Sequence, residues 1–254
     1  MGGLGNMMFQ IATGEYWYAF FDVDVVYTNM SENLFSISRD YTPKRDSLNY
    51  KKLFCNFDWD EATPSVVEKF TLRSVPFYYI PIKPQDGIEY VGYFQSYKNF
   101  PNGEFVVDLF RPSEFVKEGL TPVGNNSCSI HVRRQDYLKH QEVHPVLDME
   151  YYENAMSIMR DTGVEVFYVF SDDAEWVRHN FHFDDTCFYC DVNEYTAMYM
   201  MSLCDHNIIA NSSLSWWGAY LGDQENRVVV APDKWFGSKG PDASDIVPPN
   251  WIKI

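Results

Sequence analysis

From residue 127 onward, short apolar runs alternate with segments of helical periodicity, and this alternation constrains the fold more than any other feature of the chain. Residues 127–134 read as a strand, and residues 148–160 as a helix with an acidic start and apolar side chains three and four positions apart. Gly163 closes that helix. Residues 164–170 then form a continuous apolar run bounded by Gly163 and Ser171, the pattern of a strand buried on both faces. A short helix over 174–180, a buried strand over 186–190, a helix over 193–203, a strand over 207–210, a helix over 212–221 and a strand over 227–231 complete the series β-α-β-α-β-α-β-α-β. Such a series predicts an α/β fold with a parallel sheet covered by helices, whose ligands sit at the carboxyl ends of the strands.

The first part of the chain has a weaker pattern. Gly2-Gly3-Leu4-Gly5-Asn6 leads into a helix expected to run through about Tyr18, and residues 23–27 are a strand candidate. Residues 28–86 are polar, aromatic and punctuated by proline, and read as a mixed α/β or loop-rich region. There is no internal repeat or low-complexity tract. Gly119, Pro122 and Gly124 lie within a candidate linker over 112–126, so the expected domains are 1–118 and 119–254. The 254 residues, 46% hydrophobic and 17% aromatic, suffice for a well-buried core.

Charge narrows the partners. A formal net charge of -16 argues against nucleic acid and anionic membrane surfaces, which need a basic field over a broad face. No apolar run approaches the roughly 18 residues that a membrane-spanning helix needs. The N-terminus also lacks the basic start and apolar run of a signal peptide, so a soluble, cytoplasmic protein is expected. Five scattered cysteines fit reduced thiols better than a disulfide framework, and the sequons at Asn29, Asn125 and Asn211 then carry no glycan. His179, His182, Cys187 and Cys190 have a spacing that zinc could use, but 186–191 reads equally as a strand in which small thiols pack, and packing is the reading adopted.

In so acidic a chain, adjacent Arg133 and Arg134 at the end of a strand need a specific reason, and a small, locally held anion supplies one. Asp172 and Asp173 follow the next strand, and Asn211, Ser212 and Ser213 lie between a later strand and its helix. All three motifs fall at the same edge of the expected sheet. There, guanidinium groups and a helix N-terminus are available to the phosphate oxygens of one ligand crossing the crevice. Singly, each has a plainer explanation as a surface pair, a helix cap or an N-cap sequence. Their shared placement favours the ligand. At the other end of the chain, Gly3 and Gly5 permit close backbone approach, and Asn6 can cap its helix or reach a ligand.

Gly2-Gly-Leu-Gly-Asn-Met-Met-Phe-Gln-Ile-Ala12, Gly92-Tyr-Phe-Gln-Ser96, His131-Val-Arg-Arg-Gln-Asp-Tyr137, Tyr151-Tyr152, Phe170-Ser-Asp-Asp173 and Ala210-Asn-Ser-Ser-Leu-Ser-Trp-Trp-Gly-Ala-Tyr-Leu221 together resemble glycosyltransferase family 11, the α-1,2-fucosyltransferases. The resemblance implies a GT-B-like architecture of two Rossmann-type halves with parallel sheets, the C-terminal half binding the sugar nucleotide. It implies GDP-L-fucose as donor, an oligosaccharide or glycan acceptor of galactoside type, inversion at the anomeric carbon, and neither cofactor nor metal. Asp22-Val23-Asp24 matches the metal-holding DxD pattern of many glycosyltransferases, but so short a match recurs by chance.

Without a metal, positive charge for the leaving GDP must come from the protein. The resemblance assigns Arg133 to the β-phosphate, and His131, Asp172 and Asp173 to the neighbourhood of guanine and ribose. Ser212 and Ser213 are assigned to phosphate, with Arg134 supporting, and Gly3, Gly5 and Asn6 to a loop across the crevice. Trp216 and Trp217 are expected to pack on the sheet rather than stack on sugar. For the general base, Asp136, Glu142 and His144 follow the arginines, and His144 has the most suitable ordinary pKa. A departing phosphate oxygen is the alternative.

Three positions depart from the family pattern: Met7 stands for the usual glutamine, Gln135 for glycine and Leu214 for phenylalanine. A side chain at position 135 is expected to alter the turn or narrow the pocket. The glycine-rich turn also lacks the strand that usually precedes it in the family, which suggests a displaced start or a pared-down member. Two other functions stay open: transfer of another GDP-linked deoxysugar or formation of another linkage on the same scaffold, and a non-catalytic nucleotide-sugar or glycan-binding module.

Overall fold

The computed structural model describes residues 3–23, 25, 53, 71–85, 88–222 and 226–254. Its contacts divide the chain into two units, Met1–Phe115 with Ala243–Ile246, and Val116–Asp242 with Val247–Ile254.

In the first unit, helix α1 (Leu4–Phe21) is capped by Gly3 and ends at Asp22, whose left-handed backbone (φ 53) stops it. Leu4, Met7, Met8, Phe9, Ile11 and Ala12 are all buried, so the first turns are sequestered nearly all round, whereas Tyr18, Phe20 and Phe21 are exposed. Strand β1 (Thr71–Ser74) pairs in parallel with β2 (Ile88–Val91). The turn after β2 is held from several sides. A Cβ on Gly92 would lie 2.9 Å from the Val75 side chain and carbonyl, so only glycine fits there. Phe94 takes a left-handed φ of 55 and packs its buried ring 5.7 Å from Trp17. Gln10 Nε2 donates to Gly92 O at 3.0 Å, and Asn99 Nδ2 to Phe94 O at 2.9 Å. Helix α2 (Gly103–Leu109) is capped by Asn102, whose side chain accepts from Phe105 N. The returning segment 243–246 is tied in by Asp245, which accepts from Tyr79 N and pairs with Lys98. Of the strand candidate over 23–27, Val23 and Val25 are irregular, and its other positions lie outside the described residues.

Helix α3 (Glu114–Lys117) leads into the second unit. There, strands β3 (Ser127–Val132), β4 (Val166–Ser171), β5 (Cys187–Tyr189), β6 (His206–Ile208), β7 (Val229–Ala231) and β8 (Ile252–Lys253) form one sheet in the order β5-β4-β3-β6-β7-β8, and every pair is parallel. The α/β expectation with parallel sheets therefore holds. All six residues of β3 are buried, as a central strand covered on both faces requires.

Helix α4 (Met149–Asp161) is capped by Asp148, which accepts from Tyr151 N at 3.1 Å, and Gly163 follows its end with φ 95. It buries Tyr151, Tyr152, Ala155, Met156 and Met159 against the sheet, each large side chain contributing about 1.5–3 kcal/mol. Helix α5 (Ala174–Asn180) occupies the range its sequence indicates. Helix α6 (Glu194–Leu203) approaches α7 (Ser213–Tyr220) closely, since a Cβ on Gly218 would sit 2.8 Å from Met201 Cβ. Trp216 and Trp217 are fully buried, their rings 4.9 Å apart, so both serve packing.

One expectation about this sheet needs correction, and one strand lay outside the series read from the sequence. Residues 186–190 are not a buried strand: β5 is an edge strand with Phe188 54% exposed. The two-residue β8 was too short for any periodicity to show. No described helix is long and apolar enough to cross a membrane.

Candidate functional site

The sheet order places a switch point between β3 and β6. From β3 the chain moves outward to β4 and β5 on one side, then returns to β6, β7 and β8 on the other. Ligands of open parallel sheets bind where neighbouring connections diverge in this way, at the carboxyl ends of the strands. Residues 133–137 follow β3, Asp172 and Asp173 follow β4, and Asn211 and Ser212 follow β6.

The arginines are bound to carboxylates. Arg133 pairs through one terminal nitrogen with Asp136 at 2.7 Å and through the other with Asp172 at 3.2 Å, and its side chain is 21% exposed. Burial works against its charge but is outweighed by the two carboxylates, so its pKa is raised. Arg134 pairs through Nε with Asp173 at 3.1 Å and lays its guanidinium 3.4 Å from the ring centre of Trp176. Asp172 also accepts from the backbone amides of Arg134 (2.9 Å) and Gln135 (3.2 Å). Burial raises its pKa despite Arg133. Two guanidinium groups thus face three carboxylates. The charge that the sequence offers to a phosphate is already balanced internally, and an anionic ligand reaching Arg133 would have to displace one of these carboxylates.

Gln135 has no left-handed backbone angle, so the turn does not need glycine there. Its side chain donates to the Asp172 carbonyl, which ties the turn to the end of β4 rather than reshaping it.

His131 is 3% exposed, and its Nδ1 is buried without a hydrogen-bond partner among the described residues. Burial first, then Arg133, lowers its pKa to about 3, so the imidazole is neutral. Tyr137 donates its hydroxyl to Asn211 O at 2.7 Å; the Arg133 guanidinium lies 5.4 Å from its ring centre, and His144 stacks on it at 4.8 Å. His144 also contacts Phe236 at 5.4 Å, and burial lowers its pKa, which keeps it neutral and able to accept a proton near pH 7. Of the candidate bases, Asp136 is engaged by Arg133, His144 lies in the same cluster, and Glu142 pairs with Lys239 at 2.6 Å on the surface.

Asn211 is 2% exposed, and its amide donates to Pro145 O (3.0 Å) and Trp235 O (3.1 Å), so its side chain braces two loops. Ser212 holds the N-cap position of α7 without a capping bond from its hydroxyl, and Ser213 begins the helix. This end of α7 carries the positive pole of its dipole. Gly3, Gly5 and Asn6 belong to the first unit. Gly3 caps α1, Gly5 and Asn6 lie in its first turn, and Asn6 Oδ1 accepts from Gln95.

Sequence reasoning missed Tyr137, Trp176 and Phe236. Only Tyr137 had a signal, as the last letter of a motif. Among the described residues no group of three or more His, Cys, Asp or Glu side chains could hold a metal. Burial pushes the Cys187 and Cys190 thiols up to about 12 and about 11, and His179 Nδ1 is spent on Glu175 O at 2.7 Å. Asp22 ends α1, and Asp24 lies outside the described residues.

The sequence pattern of the family described as Glycosyl transferase family 11 matches residues 103–254. The O-antigen biosynthesis glycosyltransferase WbnK of Escherichia coli is 40% identical over 137 residues, which are 51% of this chain and 45% of that protein, less than half its length. An alpha-1,2-colitosyltransferase of Escherichia coli is 31% identical over 286 residues, covering 100% of this chain and 96% of that one. Among solved structures, a mutant of Arabidopsis thaliana FUT1 in complex with GDP is 11% identical, with a TM-score of 0.45, over 91% of this chain and 68% of that one.

Proposed function

From the premise that this chain belongs to glycosyltransferase family 11, we propose that it moves L-fucose from GDP-L-fucose to a galactoside-type acceptor in α-1,2 linkage, with inversion and without a metal ion. The observation that carries the reading is Arg133, which follows β3 at the switch point and is paired with two carboxylates while its side chain stays 21% exposed. The acceptor hydroxyl attacks the anomeric carbon from the face opposite the diphosphate. As the new C–O bond forms, the bond from that carbon to the β-phosphate oxygen breaks and its electron pair leaves with GDP. Arg133 and the N-terminal end of α7 stabilise that charge, a contribution of several kcal/mol for such preorganised groups. The hydroxyl proton passes to His144, or to Asp136 once the diphosphate has replaced it on Arg133.

A second reading has its own support. The relative matched along 96% of its length is named for colitosyl transfer rather than fucosyl transfer, so another GDP-linked deoxysugar is the competing donor. The test is a panel of GDP-sugars offered with lactose as acceptor, with and without EDTA, followed by GDP release and the linkage in the product. GDP-L-fucose is expected to turn over fastest, in EDTA as well, giving an α-1,2 product. Faster turnover of another deoxysugar would transfer the conclusion to the second reading. Binding of GDP-sugars without any turnover would leave a binding module and end the enzymatic one.

A further inference from the structure

We propose that Tyr137 is a positioning residue that couples Arg133 to the start of α7, so that guanidinium and helix terminus meet a diphosphate as one rigid unit. The inference rests on the reading of Arg133 as a phosphate ligand. The sheet order β4-β3-β6 sets the three loops side by side. Toward β4, the loop after β3 is fixed by Asp172, which accepts two of its amides, and by the Gln135 side chain on the Asp172 carbonyl. Toward β6, the crossing is made by Tyr137, whose hydroxyl donates to Asn211 O at 2.7 Å.

Asn211 immediately precedes the N-cap Ser212, and its side chain is already anchored on Pro145 O and Trp235 O. Fixing its carbonyl as well sets the direction in which the chain enters α7. The same Tyr137 ring lies 5.4 Å from the Arg133 guanidinium, so one side chain touches both groups assigned to the diphosphate. A long, flexible arginine stabilises a transition state only if its pose is set beforehand, and a misplacement of about 1 Å can cost about 100-fold in rate. Burial raises the pKa of the Tyr137 phenol, which therefore stays a donor throughout the working pH range.

Tyr137→Phe keeps the ring beside Arg133 and His144 and removes only the hydroxyl. For a lost hydrogen bond of this kind, kcat is expected to fall about 3- to 10-fold, with the donor KM within about twofold. The melting temperature should move by no more than about 4 °C. The decisive measurement is a double-mutant cycle with Arg133→Lys. If Tyr137 acts through Arg133, Tyr137→Phe causes less than about a twofold further loss in that background. Losses that multiply independently, or a lowered melting temperature with unchanged kcat, would reduce Tyr137 to packing and overturn the proposal. If the wild-type protein turns over no GDP-sugar, the functional reading fails first. The coupling is then read by calorimetry with GDP, the departing group whose extra charge Arg133 meets only once the donor bond is broken, on the same four proteins: Tyr137→Phe should weaken GDP when Arg133 is present and not when lysine replaces it. Equal weakening in both backgrounds, or no GDP binding at all, would sink the coupling too.

Discussion

The six-stranded sheet holds an arginine at each end, and the two are held in opposite ways. At the amino ends, Arg227 donates to Asn207 Oδ1, Ser202 O and Cys204 O, each at 2.7 Å. A Cβ on Gly222 would lie 1.8 Å from its guanidinium carbon, so the group is packed flat against backbone. Asn207 extends the network to Ser129 Oγ and Met201 O, also at 2.7 Å. At the carboxyl ends, Arg133 has Asp136 and Asp172 as partners and remains 21% exposed. An arginine that donates to several buried carbonyl oxygens is fixed in place by them. On the proposed reading, one held by carboxylates at the strand ends exchanges them for a phosphate, which is also an anion with oxygens that accept from a guanidinium. The nature of the partner, more than the presence of the arginine, separates a structural cation from one that a ligand can use.

The sharpest way to break this comparison is Arg133→Ala. Turnover of the donor is expected to fall about 100- to 1000-fold, while the melting temperature changes by less than about 5 °C. Retention of more than about a tenth of the wild-type rate would remove Arg133 from the chemistry. At the other end, Arg227→Met leaves several buried acceptors without their donor, and a loss of about 3 kcal/mol or more is expected. That corresponds to a fall of roughly 6–12 °C in melting temperature, with kcat of the folded fraction preserved. A silent Arg227→Met would mean that the two ends are not distinguished as argued.

The smallest effect concerns His131, on the strand that leads into the site. Its folded pKa of about 3 lies below the ordinary 6.5, so between those values the unfolded chain binds a proton that the native protein does not. Stability on this account is complete above pH 6.5 and is lost as the pH falls toward 3. His131→Gln should make the acid limb of denaturant-measured stability shallower, by up to about 1.4 kcal/mol per pH unit. An unchanged slope would show that His131 is not held neutral by burial.

Much of the second unit was legible because its signals are local. The apolar run before Ser171, the cap at Asp148 and the helix over 174–180 depend on neighbours a few residues away, and the observed elements fall within two residues of those positions. The strand at 187–189 shows the limit: an apolar run cannot reveal whether it lies in the middle of a sheet or at its edge, and β5 is the last strand on its side among the described residues, with Phe188 54% exposed. Glu142 shows another. It lies close to the arginines in sequence, yet its partner is Lys239, 97 residues away.

By itself the sequence determined the alternating architecture and the edge of the sheet at which the charged motifs would gather, since both follow from periodicity and turn chemistry. The tertiary structure decided which charges meet. The Arg134 guanidinium finds the Asp173 carboxylate across 39 residues, and the Tyr137 hydroxyl finds Asn211 O across 74. Those meetings exist because β3 lies between β4 and β6, and strand order is a property of packing that no local pattern encodes. For the same reason, only the fold could distinguish Arg133, held by carboxylates, from Arg227, which donates to the Asn207 side chain and to the backbone carbonyls of Ser202 and Cys204.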